Sequence, residues 1–237
     1  MKILHISYHT SPLAHLGLND GGGLSTYVHE LCNVLSLSNS LIVITSENSK
    51  NKKNNLYEIN TYSPLSSEVG MQEKIENLES FIHEFINSYT KERIKQFDIM
   101  HAHYWLSGMI AKKINNKFGI PFVYTSHSLG LFNQSQSSSK YRINKEKEIM
   151  EAAKMVTASS NFEFNFINNN YSIPKSKIIK ILPGVNRDIF FPNEFKETRE
   201  VKRIFCVGRI QEQKGQYLVL NFMKLLSELQ INFHIYF

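Results

Sequence analysis

Three groups of residues have the types and spacing to do chemistry. Gly21, Gly22 and Gly23 stand together in LGLNDGGGLSTYVHEL (16–31), just before a helix-like pattern. Glycine inside regular structure costs conformational entropy, so a run of three needs a reason. A flexible surface turn is one. The other is a loop whose main chain must approach an anion, because the first amides of a helix are unpaired and its dipole favours negative charge. Spacing alone leaves the two readings equal. The second group is histidine: His101 and His103 in HAHYWLSG, and His127 in TSHSLG. Alternate strand residues share a face, so the first two could offer metal ligands. No carboxylate, cysteine or third histidine lies in that motif, which favours a polar pair at a strand end and no bound metal. His127 has a serine on each side, yet the G-x-S-x-G of a serine hydrolase is missing. It reads as a hydrogen-bonding group facing a cleft or as a structural histidine. The third group is Arg209 and Lys214 in VGRIQEQKG, beside Gly208 and Gly215. Two cations on a strand-to-helix turn suit a diphosphate, and a solvated turn fits them equally.

Two familiar phosphate loops fail on spacing. A dinucleotide site wants G-x-G-x-x-G directly after the first strand and an acid about 20 residues later. Glu47 could be the acid, but the glycines begin at Gly21 and the first strand ends near Ser7. The P-loop pattern G-x-x-x-x-G-K-[ST] is absent.

The elements that must position these groups alternate. KILHIS (2–7), LIVITS (41–46), FDIMHAH, PFVYTSHS, MVTASS and KIIKILPG read as strands. Between them, Leu24, Tyr27, Val28, Leu31 and Leu35 paint one face of a helix. Ile75, Leu78, Ile82, Phe85, Ile86 and Tyr89 paint a long second one. LSGMIAKKINNKFG, closed by Gly119, then INKEKEIMEAAK and NFEFNFINNNY follow as helices. Parallel strands need helical crossovers, so the alternation predicts a doubly wound parallel α/β sheet. Ligands of such sheets bind beyond the carboxyl ends of the strands, where His101–Tyr104, Thr125–Ser128 and Pro183–Asn186 fall. Residues 1–182 form this domain, 183–202 a linker, and 203–237 one βαβ unit beginning at RIFCVG. A single unit cannot cover its second sheet face. The rest of a second domain, or a complementing C-terminal chain, is expected, with exposed apolar surface around Phe222, Leu226 and Phe233.

The 237 residues are 42% hydrophobic and 20% charged, ordinary for a globular protein, with net charge +6. Lysines and arginines are scattered, so nucleic acid is not expected, and an acidic membrane surface has no support in the residues. The densest run, Lys50–Lys53, reads as a solvated loop tip. Cys32 and Cys206 make no metal pair and no disulfide framework, and no leader-like or membrane-spanning stretch is seen, so a cytoplasmic home is expected.

In combination the motifs resemble the family-4 retaining glycosyltransferases of GT-B architecture. The pieces are SYHTSPLAHLGLNDGGGLSTYVHEL, HAHYWLSG, PFVYTSHSLG, RINKE, ILPGVNRDIFFP and VGRIQEQKG, in the family's order through nearly the whole chain. The flavour is that of the branch with sucrose-phosphate synthases and the mycothiol-pathway enzyme. The resemblance implies two Rossmann-like domains, a nucleotide-sugar donor on the C-terminal one, a small-molecule acceptor on the other, and no metal or cofactor. It implies that Gly22 and Gly23 face the donor diphosphate, that Arg209 and Lys214 neutralise it, and that His127 stands next to the transferred sugar as the catalytic group. Ser25, Tyr104, Ser128 and Arg142 fall where related enzymes hold their acceptor, and Arg142 would suit an acceptor phosphate. Ser25 stands where the family's pattern often has Asn.

The family's E-x-x-x-x-x-x-x-E motif in the C-terminal domain has no counterpart here. Glu76 and Glu84 have that spacing, and Glu68 and Glu92 extend it, but they belong to the polar face of an N-terminal helix. The expected function is transfer of a sugar from a nucleoside diphosphate to a small acceptor with retention. An acceptor-binding module without turnover, and a nucleotide-sugar epimerase, are the alternatives.

Overall fold

Short β-branched runs become strands and 3.6-period runs become helices in a computed structural model that describes residues 1–14, 22–47, 54–66, 69–132, 140–192, 201–208, 210 and 212–236. The chain forms two units, Met1–Gly184 and Val185–Phe237. In the first, strands β1 (Lys2–Ile6), β2 (Ser40–Glu47), β3 (Glu58–Leu65), β4 (Ile99–His103), β5 (Phe122–Thr125), β6 (Met155–Ala158) and β7 (Ile178–Lys180) make one sheet. Its order is β3-β2-β1-β4-β5-β6-β7, and every pairing is parallel. The helices are α1 (Gly23–Ser36), α2 (Met71–Glu76), α3 (Leu78–Tyr89), α4 (Lys91–Ile94), α5 (Tyr104–Phe118), α6 (Lys140–Ala152) and α7 (Asn161–Tyr171).

The central strands are buried on both faces. Leu4, Ile6, Ile44, Met100, Ala102, Phe122, Tyr124 and Val156 are fully buried and join Phe81, Phe85, Trp105 and Ile149 from the helices in one core. Strands covered on both sides read as apolar runs, which is why most were legible. β3 was not foreseen. It carries Pro64 and lies at the sheet edge, where a missing amide is tolerated. The long helix expected through Tyr89 is broken: α2 ends at Glu76, and Asn77 turns its side-chain amide to the Ser63 carbonyl (2.9 Å) before α3 begins.

Two glycines fix the helix layer. Gly119 closes α5 in the left-handed region (φ 75°). At Gly108 an added Cβ would lie 2.7 Å from Ile149 Cγ2, so α5 and α6 approach with nothing but hydrogen between them.

The second unit holds β8 (Lys202–Phe205), a 3₁₀ turn at Glu212–Lys214, α8 (Gln216–Glu228) and β9 (Phe233–Tyr236), with β8 and β9 parallel. Phe222 is 46% exposed and Phe233 half-buried, but Leu226 is buried, against expectation. The covered stripe of α8 is Gln216, Val219, Met223 and Leu226, beside the exposed apolar stripe Leu218, Phe222, Leu225 and Leu229.

Candidate functional site

The sheet order reverses between β1 and β4, the place where an open α/β sheet leaves a crevice beyond its carboxyl ends. Residues following β1, β4 and β5 surround that point. The strand register sets His5 opposite His101, and His103 follows two residues later. The third histidine that the HAHYW motif lacks therefore comes from the neighbouring strand, a pairing invisible until register is known. Ring nitrogens of His5, His101 and His103 come within 4.8 Å of one another, close enough to be considered as ligands for a borderline cation such as zinc. Here they bind each other and their neighbours. His5 Nδ1 is 3.0 Å from His103 Nε2, and His103 Nδ1 is 3.1 Å from His127 Nε2. His101 Nε2 meets Thr125 Oγ1 at 2.8 Å, and Thr125 in turn meets Thr157 Oγ1 at 2.6 Å. Burial pushes His101 down to about 4. Burial, helped by His101, pushes His127 to about 3 and His5 well below the usual range. His103 is lowered by burial and then by His101, His127 and His5. All four imidazoles are neutral at pH 7.

His127 and Tyr104 are non-glycine residues with left-handed backbones, at φ 55° and 73°. Such conformations cost roughly 1–3 kcal/mol and persist where their surroundings over-determine them. The surroundings are on hand for both. Tyr27 of α1 sets its ring edge-on to His127 (5.0 Å between centroids). The Tyr104 ring lies 5.1 Å from the Arg142 guanidinium on one side and 5.0 Å from the His9 ring on another.

Three of the four residues expected at an acceptor meet directly. Arg142, from the first turn of α6, donates to the Ser128 carbonyl and to Ser128 Oγ, both at 3.0 Å, while lying against Tyr104. Its Nε donates to Glu146 Oε1 at 2.7 Å. Glu146 is fully buried and also accepts the Gly130 amide (2.9 Å to Oε2) and the Tyr171 hydroxyl. A Cβ at Gly130 would lie 3.2 Å from Glu146 Oε2 and 3.2 Å from Ile143, so a side chain there would press on both. Ser126, at the other end of the loop, donates to Glu163 Oε1 of α7 at 2.7 Å. Ser25 is placed elsewhere: it is buried in the first turn of α1, its Oγ 2.9 Å from Thr10 Oγ1.

Sequence reasoning missed Lys74. It is buried in α2, and its Nζ lies 3.3 Å from His9 Nδ1. A signal existed: Lys74, Leu78, Phe81, Ile82 and Phe85 follow one apolar helical stripe, and a lysine inside such a stripe is out of place. Lys74, His9, Tyr104, Arg142 and Ser128 thus form one continuous chain of contacts with two cations in it.

Gly22 caps α1 with an extended backbone (φ −167°), and among the described residues no side chain caps that end. Among the described residues, added Cβ atoms at Gly22 and Gly23 meet nothing within 4 Å. Neither backbone angle nor packing by the described residues demands glycine there, and a helix start favours an anion. Gly21 and Arg209 lie outside the described residues. Lys214, in the second unit, is exposed, and its side chain passes over Gly208, where an added Cβ would lie 3.7 Å from Lys214 Cγ and Cδ. Glu84, expected on the polar face of its helix, accepts from the backbone amide and Oγ of Ser63 and so steadies the left-handed Ser63 (φ 38°).

A match to Glycosyltransferase Family 4 spans residues 21–189. The chain is 26% identical over 241 residues to a D-inositol 3-phosphate glycosyltransferase of a Nocardioides species, covering 92% of this chain and 52% of that protein. It is 27% identical to the Frankia alni protein of the same name, covering 90% and 57%. The chain spans about half the length of the curated relatives it matches. Among solved structures, sucrose-phosphate synthase from Thermosynechococcus elongatus superposes with TM-score 0.81 at 21% identity, over 99% of this chain and 61% of that one. Anabaena Alr3699/HepE, solved with UDP-glucose, gives TM-score 0.58 at 13% identity, over 100% and 69%. These likenesses establish the α/β fold as the GT-B type. No helix among the described residues is long and apolar enough to cross a membrane.

Proposed function

The chain belongs to glycosyltransferase family 4, and from that premise we propose that it supplies the acceptor-side part of a retaining transferase. Such an enzyme moves a sugar from a nucleoside diphosphate to a small phosphorylated acceptor. The observation that carries this reading is Arg142, tied to Ser128 and Tyr104, in one contact chain with the buried cation of Lys74. Two cations in one chain of polar contacts suit a phosphate monoester, and a planar guanidinium can meet it with two parallel bonds. The name of the Nocardioides relative makes inositol 3-phosphate the first acceptor to try.

On this reading Gly22 and Gly23 leave room for the donor diphosphate at the start of α1, and Arg209 and Lys214 neutralise it. Negative charge grows on the departing diphosphate as the sugar becomes oxocarbenium-like. Fixed amides and cations stabilise that charge without reorganising, so no metal or other cofactor is called on. Retention follows from acceptor attack on the face the diphosphate leaves. His127, neutral and with one ring nitrogen already engaged by His103, offers Nδ1 to a sugar hydroxyl. Ser25 and Thr10 support the start of α1 next to the acceptor.

A second reading has one observation in its favour: Ser25, Tyr104, Ser128 and Arg142 all belong to the unit Met1–Gly184. That unit alone could bind acceptor without turnover, with the donor held by a complementing chain or by the rest of a longer protein. Isothermal titration of the chain with inositol 3-phosphate, free inositol and UDP-glucose tests both. Phosphate-dependent acceptor binding supports the shared premise, and equal affinity for inositol and its phosphate sinks it. Product formation from both substrates separates the transferase from the module.

A further inference from the structure

A neutral imidazole carries one N–H and one bare nitrogen, so where two imidazoles meet, one must donate and the other accept. His103 meets two. Its Nε2 faces His5 Nδ1 at 3.0 Å and its Nδ1 faces His127 Nε2 at 3.1 Å. The position of one proton on His103 therefore decides both contacts. If His127 donated inward from Nε2, His103 would donate from Nε2 to His5 Nδ1, and the proton of His5 would be forced onto its own Nε2. That nitrogen is buried with no hydrogen-bond partner among the described residues. A stranded buried N–H is the rarer and costlier defect. If the chain runs outward, His5 uses its proton on Nδ1, and only a bare lone pair is left over at Nε2.

We propose that His5, His103 and His127 form an outward tautomer relay in which His103 is the positioning residue that presents His127 to its ligand as an Nδ1–H donor. His5 and His103 are fully buried, and 3.0 Å between nitrogens with 5.3 Å between ring centroids fits an in-plane contact, nitrogen to nitrogen. His127 is less buried and is held by the edge of Tyr27, so its remaining nitrogen, Nδ1, is the one a ligand can meet. Burial keeps all three rings neutral, the state in which tautomer has meaning. The relay makes a donor of a residue that would otherwise favour carrying its proton on Nε2. The functional consequence, a hydrogen bond given to a sugar hydroxyl oxygen, rests on the role proposed above for His127.

Long-range ¹H–¹⁵N NMR of the chain at pH 7 reads each tautomer directly. The expected spectrum has His5, His103 and His127 all protonated at Nδ1. His127 protonated at Nε2 overturns the relay, as does zinc addition that shifts His5, His101 and His103 together at stoichiometric metal. In His103→Phe, His127 should change to the Nε2–H form, and persistence of Nδ1–H overturns the role of His103. Should that variant not fold, His5→Phe serves: His103 should then lose its fixed Nδ1–H signature, and retention of it overturns the role of His5. UDP-glucose addition separates the two ideas. If His127 is an Nδ1–H donor whose signal ignores the nucleotide sugar, the relay stands and the sugar contact fails.

Discussion

Glu146 holds Arg142 from one helical turn away, and the same guanidinium reaches back to both oxygens of Ser128. The Glu146 side chain is completely buried and that of Arg142 is 13% exposed. The pair locks the 126–132 loop to α6, because Glu146 also takes the Gly130 amide and the Tyr171 hydroxyl.

Removing one partner of a buried ion pair leaves the other uncompensated. Glu146→Ala should cost about 3–5 kcal/mol in urea unfolding. A loss under about 1 kcal/mol would show that Arg142 and the loop are held by something else.

Gly130 and Gly23 should behave in opposite ways. Gly130→Ala forces a Cβ against Glu146 and Ile143 and should cost about 1–3 kcal/mol. Gly23→Ala meets open space in the first turn of a helix and should be neutral or up to about 1 kcal/mol stabilising. The same Gly23→Ala should weaken nucleotide-sugar binding. Unchanged donor affinity would return the glycine run to a plain turn.

Arg142→Lys keeps charge and loses the fork. If one charge-assisted bond of about 1.5–3 kcal/mol is lost, acceptor affinity should fall roughly 10- to 150-fold. Calorimetry with inositol 3-phosphate measures it. Lys74→Met should weaken the phosphorylated acceptor and leave free inositol unaffected.

Lys214→Ala should reduce affinity for the donor diphosphate in any form that binds donor. Equal affinity for UDP-glucose in the two proteins would remove Lys214 from the site.

The histidine cluster predicts acid sensitivity. His101 and His127 titrate near 4 and 3 when folded and near 6.5 when unfolded. Between those values the unfolded chain binds more protons, so stability rises with pH. It is complete above pH 6.5 and is lost as pH falls toward 4 and then 3, by roughly 1.4 kcal/mol per pH unit for each fully shifted histidine. Urea midpoints across pH 4–7.5 should trace this slope, and His101→Gln should flatten it. A midpoint independent of pH in that window would mean that the imidazoles are hydrated.

The parallel sheet was readable because strands covered on both faces appear as apolar runs. β3 was not, since an edge strand with Pro64 has no such run. The motifs around His127, Tyr104, Ser128 and Arg142 could be seen in order, but not their meeting, which depends on α6 packing onto α5. His5 escaped notice because its importance comes from pairing opposite His101, a matter of register between strands 96 residues apart in sequence. Lys74 was hidden in plain view inside an apolar stripe.

One hydrogen atom sets how closely two helices of the first unit approach. Gly108 lies on the helix that begins with Tyr104, and it touches the helix that carries Arg142 at a point one methyl group too narrow for alanine. A substitution at 108 would have to displace Ile149 or the helix that carries it, and on the function proposed above that shift reaches the residues assigned to the acceptor. Selection for a bulkier acceptor therefore has a path open to it that alters no ligand-facing side chain, and a search for such variants belongs at position 108 as much as at the site itself.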